Sequence, residues 1–318
     1  MLARSIRSGL VESEHPGAVA VVDLVDMTPR VVATHGDVGR PFFFRSAIKP
    51  VQTAVSQRLG ANLNPERLAF ASASHSGFPI HIAYVRSMLG EVGLDETALL
   101  CPPLRPLRPE ADALWRDRGV TQALPILHNC SGKHAAMLRA CVARGWSIDD
   151  YTDADHPLQQ EIAAEMAAAA GADIGPVGVD GCGVPSFRGN AVSLAMIFAR
   201  LSALPEYAEV ATAVRRYPSL VGGNLRGDGK LGAWVNGPLK VGAEGCFGLG
   251  VRGLGVSVKA FTGAAAAAVV GMIEAVTQLG LLSAAARQGL ADVARPAVLG
   301  GGRPVGAVEP AFELDQSR

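Results

Sequence analysis

The spacing of apolar residues changes character twice along this chain, and that change limits the fold more than any single motif. Ala18 to Val25 reads AVAVVDLV and Arg30 to Ala33 reads RVVA, two valine-rich runs parted by a turn-like stretch containing Pro29. Branched side chains on either side of a short break predict an early strand pair. Val51 to Leu59, Ile82 to Val92, His134 to Ala143, Leu158 to Ala170, Ala191 to Leu201 and Tyr207 to Arg216 are instead rich in alanine and leucine at helical spacing. After Tyr217 glycine-rich turns and short apolar runs return, at Leu239 to Val241 and Val256 to Phe261, followed by a helical stretch from Ala264 to Leu279. Strands at both ends of a helical centre predict an α/β (α+β) sandwich whose antiparallel sheet is built from both termini. No internal repeat is visible. The proline cluster Pro102 to Pro109 reads as a surface crossing between globular segments. The expectation is therefore a single domain over 1–318, with a helical subdomain around 50–215.

Charge and hydropathy exclude some classes of function. Lys plus Arg and Asp plus Glu both number 29, and no segment concentrates basic residues, so a nucleic-acid partner is not expected. The apolar stretch Ala264 to Val270 is too short to cross a bilayer, so no membrane association is expected either. The opening residues MLARSIRSGLVESEHP lack the long apolar core of a secretory signal, which predicts a cytoplasmic protein. Five cysteines, an odd number in a long chain, fit free thiols or metal ligands better than a disulfide framework.

Several short runs gather reactive side chains. In RSAIKP, Ser46 precedes Lys49 by three residues, close to one helical turn, so hydroxyl and amine project from one side of the backbone. Serine needs such a neighbouring base, and lysine serves only when burial or nearby charge keeps it neutral. Pro50 lacks the amide that would bond back to Ser46 in a regular helix, which predicts a tight or kinked turn. Ser74, His75 and Ser76 in ASASHSG lie where an apolar stretch gives way to a loop; they read as a site or as a serine-rich cap with a surface histidine. In HNCSGKHAAML, Cys130 and His134 are four apart, which suits either a zinc ligand pair or a Cys-His nucleophile and base. Cys182, between two glycines in VDGCGVPSF, predicts a tight turn exposing a thiol, while Cys101, Cys141 and Cys246 read as core. Lys240 in LKVGAEG is followed by Gly242, which admits close approach of another chain or a ligand. Gly248, Gly250 and Gly253 fit G-x-G-x-x-G but lead into a strand-like VSVKAF, so a dinucleotide site is rejected.

Together, RSAIKP, ASHSG, NCSGKHAAML, DADHPLQ, DGCGVP and LKVGAEG, in this order, resemble the asparaginase II family, the rhizobial-type or class 3 L-asparaginases. That resemblance implies the sandwich fold of serine β-lactamases, penicillin-binding proteins and one class of glutaminases. It implies two Ser-Lys pairs, Ser46 with Lys49 and Ser74 with Lys240, and a zinc ion on Cys130, Lys133 and Cys182, with no organic cofactor. It also implies a homodimer acting on L-asparagine. In this reading Ser46 attacks the amide carbon and Lys49 takes its proton, Arg45 holds the substrate α-carboxylate and Asp180 its α-ammonium. His134 contacts substrate or supports the metal. Two features depart from the pattern: Phe78 stands where an acidic residue often follows HSG, and Gly229 where a small hydroxyl residue is expected after NLRGD. The rival readings are a cysteine-dependent amidase using Cys130 and His134, and a non-catalytic, zinc-stabilised ligand-binding scaffold. β-Lactam or D-peptide hydrolysis follows from the fold alone and is disfavoured by the cysteine motifs.

Overall fold

A computed structural model describes residues 1–223 and 227–316. Its centre is a six-stranded antiparallel sheet in the order Asp315–Gln316, Thr28–His35, Gly17–Val25, Leu254–Ala260, Cys246–Val251 and Leu239–Gly242. Gly17–Val25 lies beside Leu254–Ala260 with Val21 opposite Val256, so segments from the two ends of the chain share one sheet. The first hairpin turns at Asp26 and Met27, both with positive φ, so Pro29 sits in the following strand opposite Leu24 and not in the turn. Two central residues with positive φ match the right-handed twist of the strands they join.

Alternation along these strands decides what covers each face. Ala18, Ala20 and Val22 point into the core shared with the helical region, whereas Val19 and Val21 point into a second core with Phe247, Leu249, Val256 and Val258. The helix Ala265–Gln278 closes that second core. The helix Ala191–Ala203 covers the first face, and glycines admit it. A Cβ on Gly248 would lie 2.0 Å from the Phe198 ring, and one on Gly255 would lie 1.9 Å from Ala195 O. The glycine pattern that resembles a phosphate loop thus flattens a sheet for close helix packing.

Two smaller sheets complete the layers. One orders Ala297–Gly300, Arg303–Pro310, Ala3–Arg7 and Leu10–His15, again joining the chain ends, with Ser5 opposite Val308. The other orders Phe42–Phe43, Pro185–Gly189 and Pro176–Val179. Between them stand the helices Lys49–Ser56, Pro65–Ala71, Pro79–Gly90, Pro109–Asp117, Ser131–Arg144, Pro157–Ala170 and Ala208–Arg216. Many open on proline, whose missing amide costs nothing in a first helical turn. Pro50 is the second residue of its helix for the same reason, and the turn before it, Arg45–Ile48, is a 3₁₀ helix. Among the described residues no helix is long and apolar enough to cross a membrane.

Candidate active site

The strand Phe42–Phe43 pairs with Arg188 and Gly189 and delivers the chain directly into the 3₁₀ turn that holds Ser46. Arg45 enters that turn at φ 49°, a left-handed conformation that costs a non-glycine residue about 1–2 kcal/mol. Such strain is characteristic of segments whose side chains must be aimed. Ser46 is half-buried, and Lys49, the first residue of the next helix, is fully enclosed. Lys49 Nζ donates to Ala73 O at 2.7 Å and to Ser74 Oγ at 3.0 Å. The amine paired with Ser46 by spacing is therefore the amine that touches Ser74, so one lysine serves the neighbourhood of both serines. Burial lowers the Lys49 pKa, the charge of Lys133 lowers it further, and the sulfurs of Cys130 and Cys182 oppose the shift.

The Ser74 loop is anchored by His75, which is buried and not the surface residue of the capping alternative. Its Nδ1 accepts the amide of Gly77 at 3.1 Å, so the ring proton is on Nε2, which donates to Ser131 Oγ at 2.9 Å. His75 N also donates to Asn129 O at 3.1 Å. The Ser74 loop is thus fastened to the start of helix Ser131–Arg144, beside Cys130. Burial holds His75 neutral, well below the ordinary histidine range.

Cys130 and Cys182, separated by 52 positions, meet in space and share a sulfur hydrogen bond. Cys182 is at the tip of a tight turn closed by Asp180 N to Val184 O at 2.8 Å and Gly183 N to Asp180 O at 2.9 Å. The turn is as the sequence suggests, but the thiol is 1% exposed, because it faces Lys133 instead of solvent. Lys133 Nζ donates to Cys182 Sγ at 3.2 Å. The hydrogen bond from Cys130, then Lys133 and His134, pulls the Cys182 thiol strongly down. That same sulfur bond, and then burial, push Cys130 up, so the pair holds one proton between two sulfurs. Burial opposes the charge on Lys133, but the two sulfurs and Asp180 outweigh it and raise its pKa. All five cysteines are free and buried.

Arg45 and Asp180, assigned to opposite ends of a substrate, are bonded to each other, Nε to Oδ1 at 2.7 Å. Asp180 Oδ1 also accepts Gly181 N at 2.9 Å, and its Oδ2 lies 3.8 Å from Cys182 Sγ. This carboxylate ties the Ser46 turn to the thiol turn. His134 is fully buried, its Nδ1 2.7 Å from Tyr151 OH, so it has no open face for a substrate. Tyr151 is a site residue that sequence reasoning misses: nothing in DDYTDAD marks it, and only the fold brings it to His134.

Lys240 lies on the strand Leu239–Gly242, against the serine turn. A Cβ on Gly242 would lie 2.6 Å from Phe44 O, which explains the glycine after Lys240. Lys240 Nζ donates to Val241 O at 2.7 Å and is 4.0 Å from Asp228 Oδ2. Its pairing with Ser74 is an expectation from the family, and Ser74 Oγ also accepts from Lys49. A side chain at Gly229 is excluded, since its Cβ would fall 1.6 Å from Gly223 O. Cavity size does not single out this site. A space of about 870 Å³ is lined by Trp146, Asp150, His156 and Gly183, and one of about 280 Å³ by Asp228, Gly242 and Cys246; neither includes Ser46 or Ser74.

Comparison with known proteins fixes the family. The sequence profile of L-asparaginase II matches residues 3–310. The chain belongs to the L-asparaginase II family. It is accordingly an amidohydrolase of the asparaginase type. No curated protein matches this asparaginase-type chain. Among solved structures, Mglu in its native form is 15% identical, with 88% of this chain and 68% of that chain covered at a TM-score of 0.38. Mglu in its glutamate form is 16% identical, with 88% and 65% covered at 0.38. This chain thus spans about two thirds of the length of those proteins.

Proposed function

We propose that this asparaginase-type enzyme hydrolyses L-asparagine to L-aspartate and ammonia through a covalent ester on Ser46, with Lys49 as the base. The observation that carries the reading is the hydrogen bonding of Lys49. Lys49 Nζ donates to Ala73 O and Ser74 Oγ and also meets the Cys130 sulfur, so this buried amine lies at the junction of the serine loop and the thiol pair. Ser46 stands three residues before it, about one turn back. Burial of Lys49 favours the neutral form of the amine.

In the first half-reaction Ser46 Oγ bonds to the amide carbon as its proton passes to Lys49. The C–N bond then breaks, and the proton reaches the leaving nitrogen through Ser74, the hydroxyl already bonded to Lys49. Water cleaves the aspartyl ester in the second half-reaction, its proton returning through the same groups. Lys240, on the strand behind the serine turn, is assigned with Ser74 to this second step. Arg45 and Asp180 receive the α-carboxylate and α-ammonium. Their mutual ion pair presents a carboxylate-binding and an ammonium-binding group side by side, the arrangement a zwitterionic head group can replace.

Cys130, Lys133 and Cys182 are the residues that would hold zinc. Among the described residues no three His, Cys, Asp or Glu side chains converge as a metal site, so the set depends on Lys133 as a ligand. Its charges fit. One ammonium, one thiolate and one thiol carry the same net charge as a dication with two thiolates and a neutral amine. Zinc can therefore replace two protons without leaving the buried site charged. Bound there, zinc supplies Lewis-acid polarisation of a neighbouring oxygen.

The cysteine-amidase reading needs a base for Cys130. His134 does not supply one, because its Nδ1 is engaged by Tyr151 and its ring interacts with Cys182. Ammonia release from L-asparagine and L-glutamine, measured with wild type, Ser46→Ala and Cys130→Ala, tests the proposal. Ser46→Ala is expected to be inactive. Full activity in Ser46→Ala with loss in Cys130→Ala would favour the thiol, and folded wild type that releases no ammonia would favour the scaffold.

A further inference from the structure

We infer that the cleft between helices Ala191–Ala203 and Ala208–Arg216 and the hairpin turn at Arg252 is a binding site for a small oxyanion, a phosphate or a dicarboxylate, held by Arg215 and Arg252. The cleft shares no lining residue with the Ser46 turn, the Ser74 loop or the thiol pair, so the inference stands apart from the function proposed above. Its volume is about 260 Å³, just below the usual range for pockets that enclose drug-sized ligands. That size suits a small ion. Arg215, Arg252, Asn236, Thr212 and Ser202 supply its polar side chains, and no Asp or Glu lines it.

Missing counter-ions carry the inference. Elsewhere Arg4, Arg67 and Arg105 each stand against a carboxylate. Arg215 instead donates to Asn236 Oδ1 at 2.6 Å, and among the described residues the Arg252 guanidinium has no hydrogen-bond or ion-pair partner. With its oxygen engaged by Arg215, Asn236 presents its side-chain N–H groups, so the cleft gathers donors and positive charge in one place. Guanidinium groups take carboxylate and phosphate oxygens through paired hydrogen bonds. The turn adds a second observation. Arg252 and Gly253 join the paired strands Cys246–Val251 and Leu254–Ala260 with φ of 50° and 88°. Asn, Asp or Gly usually stands first in such a two-residue turn, because a larger side chain is costly at positive φ. The turn itself does not explain an arginine there, whereas a bound anion does. Gly253 N donates to Ser202 Oγ at 2.9 Å and Ser202 Oγ donates to Ala199 O at 2.8 Å, which fixes the turn on the helix that walls the cleft.

The test is isothermal titration of the full chain with inorganic phosphate and, separately, with succinate, in buffer free of other oxyanions. Wild type should take up one probe per chain, and the tighter of the two tells a phosphate site from a dicarboxylate site. Arg252→Gln and Arg215→Gln, each checked for folding by circular dichroism, should bind that probe about 10-fold to 100-fold more weakly, as expected when a charged hydrogen-bond donor is lost. Arg216→Gln serves as the control, since Arg216 lies beside Arg215 on the same helix but lies over the Tyr217 ring and does not line the cleft. It should bind as wild type does. Absence of saturable binding of either probe to wild type, or wild-type affinity in folded Arg252→Gln, would overturn the inference. An equal loss in Arg216→Gln would overturn it as well, because surface charge in general would then account for the binding. Ammonia release does not enter this readout, so failure here leaves the serine chemistry to its own test.

Discussion

At the scale of a single residue the proposed mechanism turns on Lys49 as the base. A base acts when deprotonated, so kcat/KM should rise with pH through the free-enzyme pKa of Lys49, and burial places that rise below the ordinary lysine value of about 10.4. A pH–rate profile that rises only at an ordinary lysine value would remove Lys49 as the base. Lys49→Met, which keeps the volume and loses the lone pair, should cost about a thousandfold or more in kcat, read by ammonia release from folded protein. The Lys133, Cys130 and Cys182 site makes a second prediction. Zinc that displaces two protons should bind about 100-fold tighter per pH unit, whereas displacement of one proton gives about tenfold. Competition titrations at several pH values distinguish them. The sequence made Ser46 and Lys49 legible through their helical spacing. The bond from Lys49 to Ser74 was not legible, because 25 positions of intervening chain carry no local signal of where a loop will fold back.

At the scale of elements, period and propensity were enough to read the long helices and the first hairpin. The four-stranded sheet was not readable, since Ala3–Arg7 and Leu10–His15 mix apolar, polar and charged residues without a clear apolar alternation, and Leu10–His15 is largely exposed. Ala3–Arg7 pairs with Arg303–Pro310 on one side and with Leu10–His15 on the other, so strand pairing more than burial holds them. Glycines in the central sheet were visible but their purpose was not, because a missing Cβ signifies nothing until the partner helix is in place. Gly255→Ala would put a methyl 1.9 Å from Ala195 O and force helix Ala191–Ala203 away from the sheet. The expected loss is about 1–3 kcal/mol, the usual cost of overpacking, measured by denaturant unfolding. An unchanged midpoint would mean that the helix does not press on this face. The hydroxyl expected at Gly229 fails for the same reason, the carbonyl of Gly223 already occupying its space.

The whole molecule buries several histidines in neutral form, and this sets its response to acid. His75 is held well below the ordinary value, His81 and His128 at about 4, and His134 is lowered, in each case first by burial. An unfolded chain takes up these protons near pH 6.5, while the fold refuses them until lower pH. The unfolded state therefore binds more protons between about pH 6.5 and 4, and stability must fall as pH falls through that window. Thermal melting should decline within it, and a flat profile from about pH 6.5 down to about pH 4 would contradict the burial of these rings. The same global packing joins the two ends of the chain in two sheets and brings the Ser46 turn to the Ser74 loop and the thiol turn, the step that a linear sequence conceals. The central claim is that Ser46 forms the ester. Rapid acid quench of wild type turning over L-asparagine, followed by peptide mapping by mass spectrometry, should find one aspartyl group on the peptide containing Ser46, and the same group on the peptide of Ser74 or Cys130 instead would contradict it.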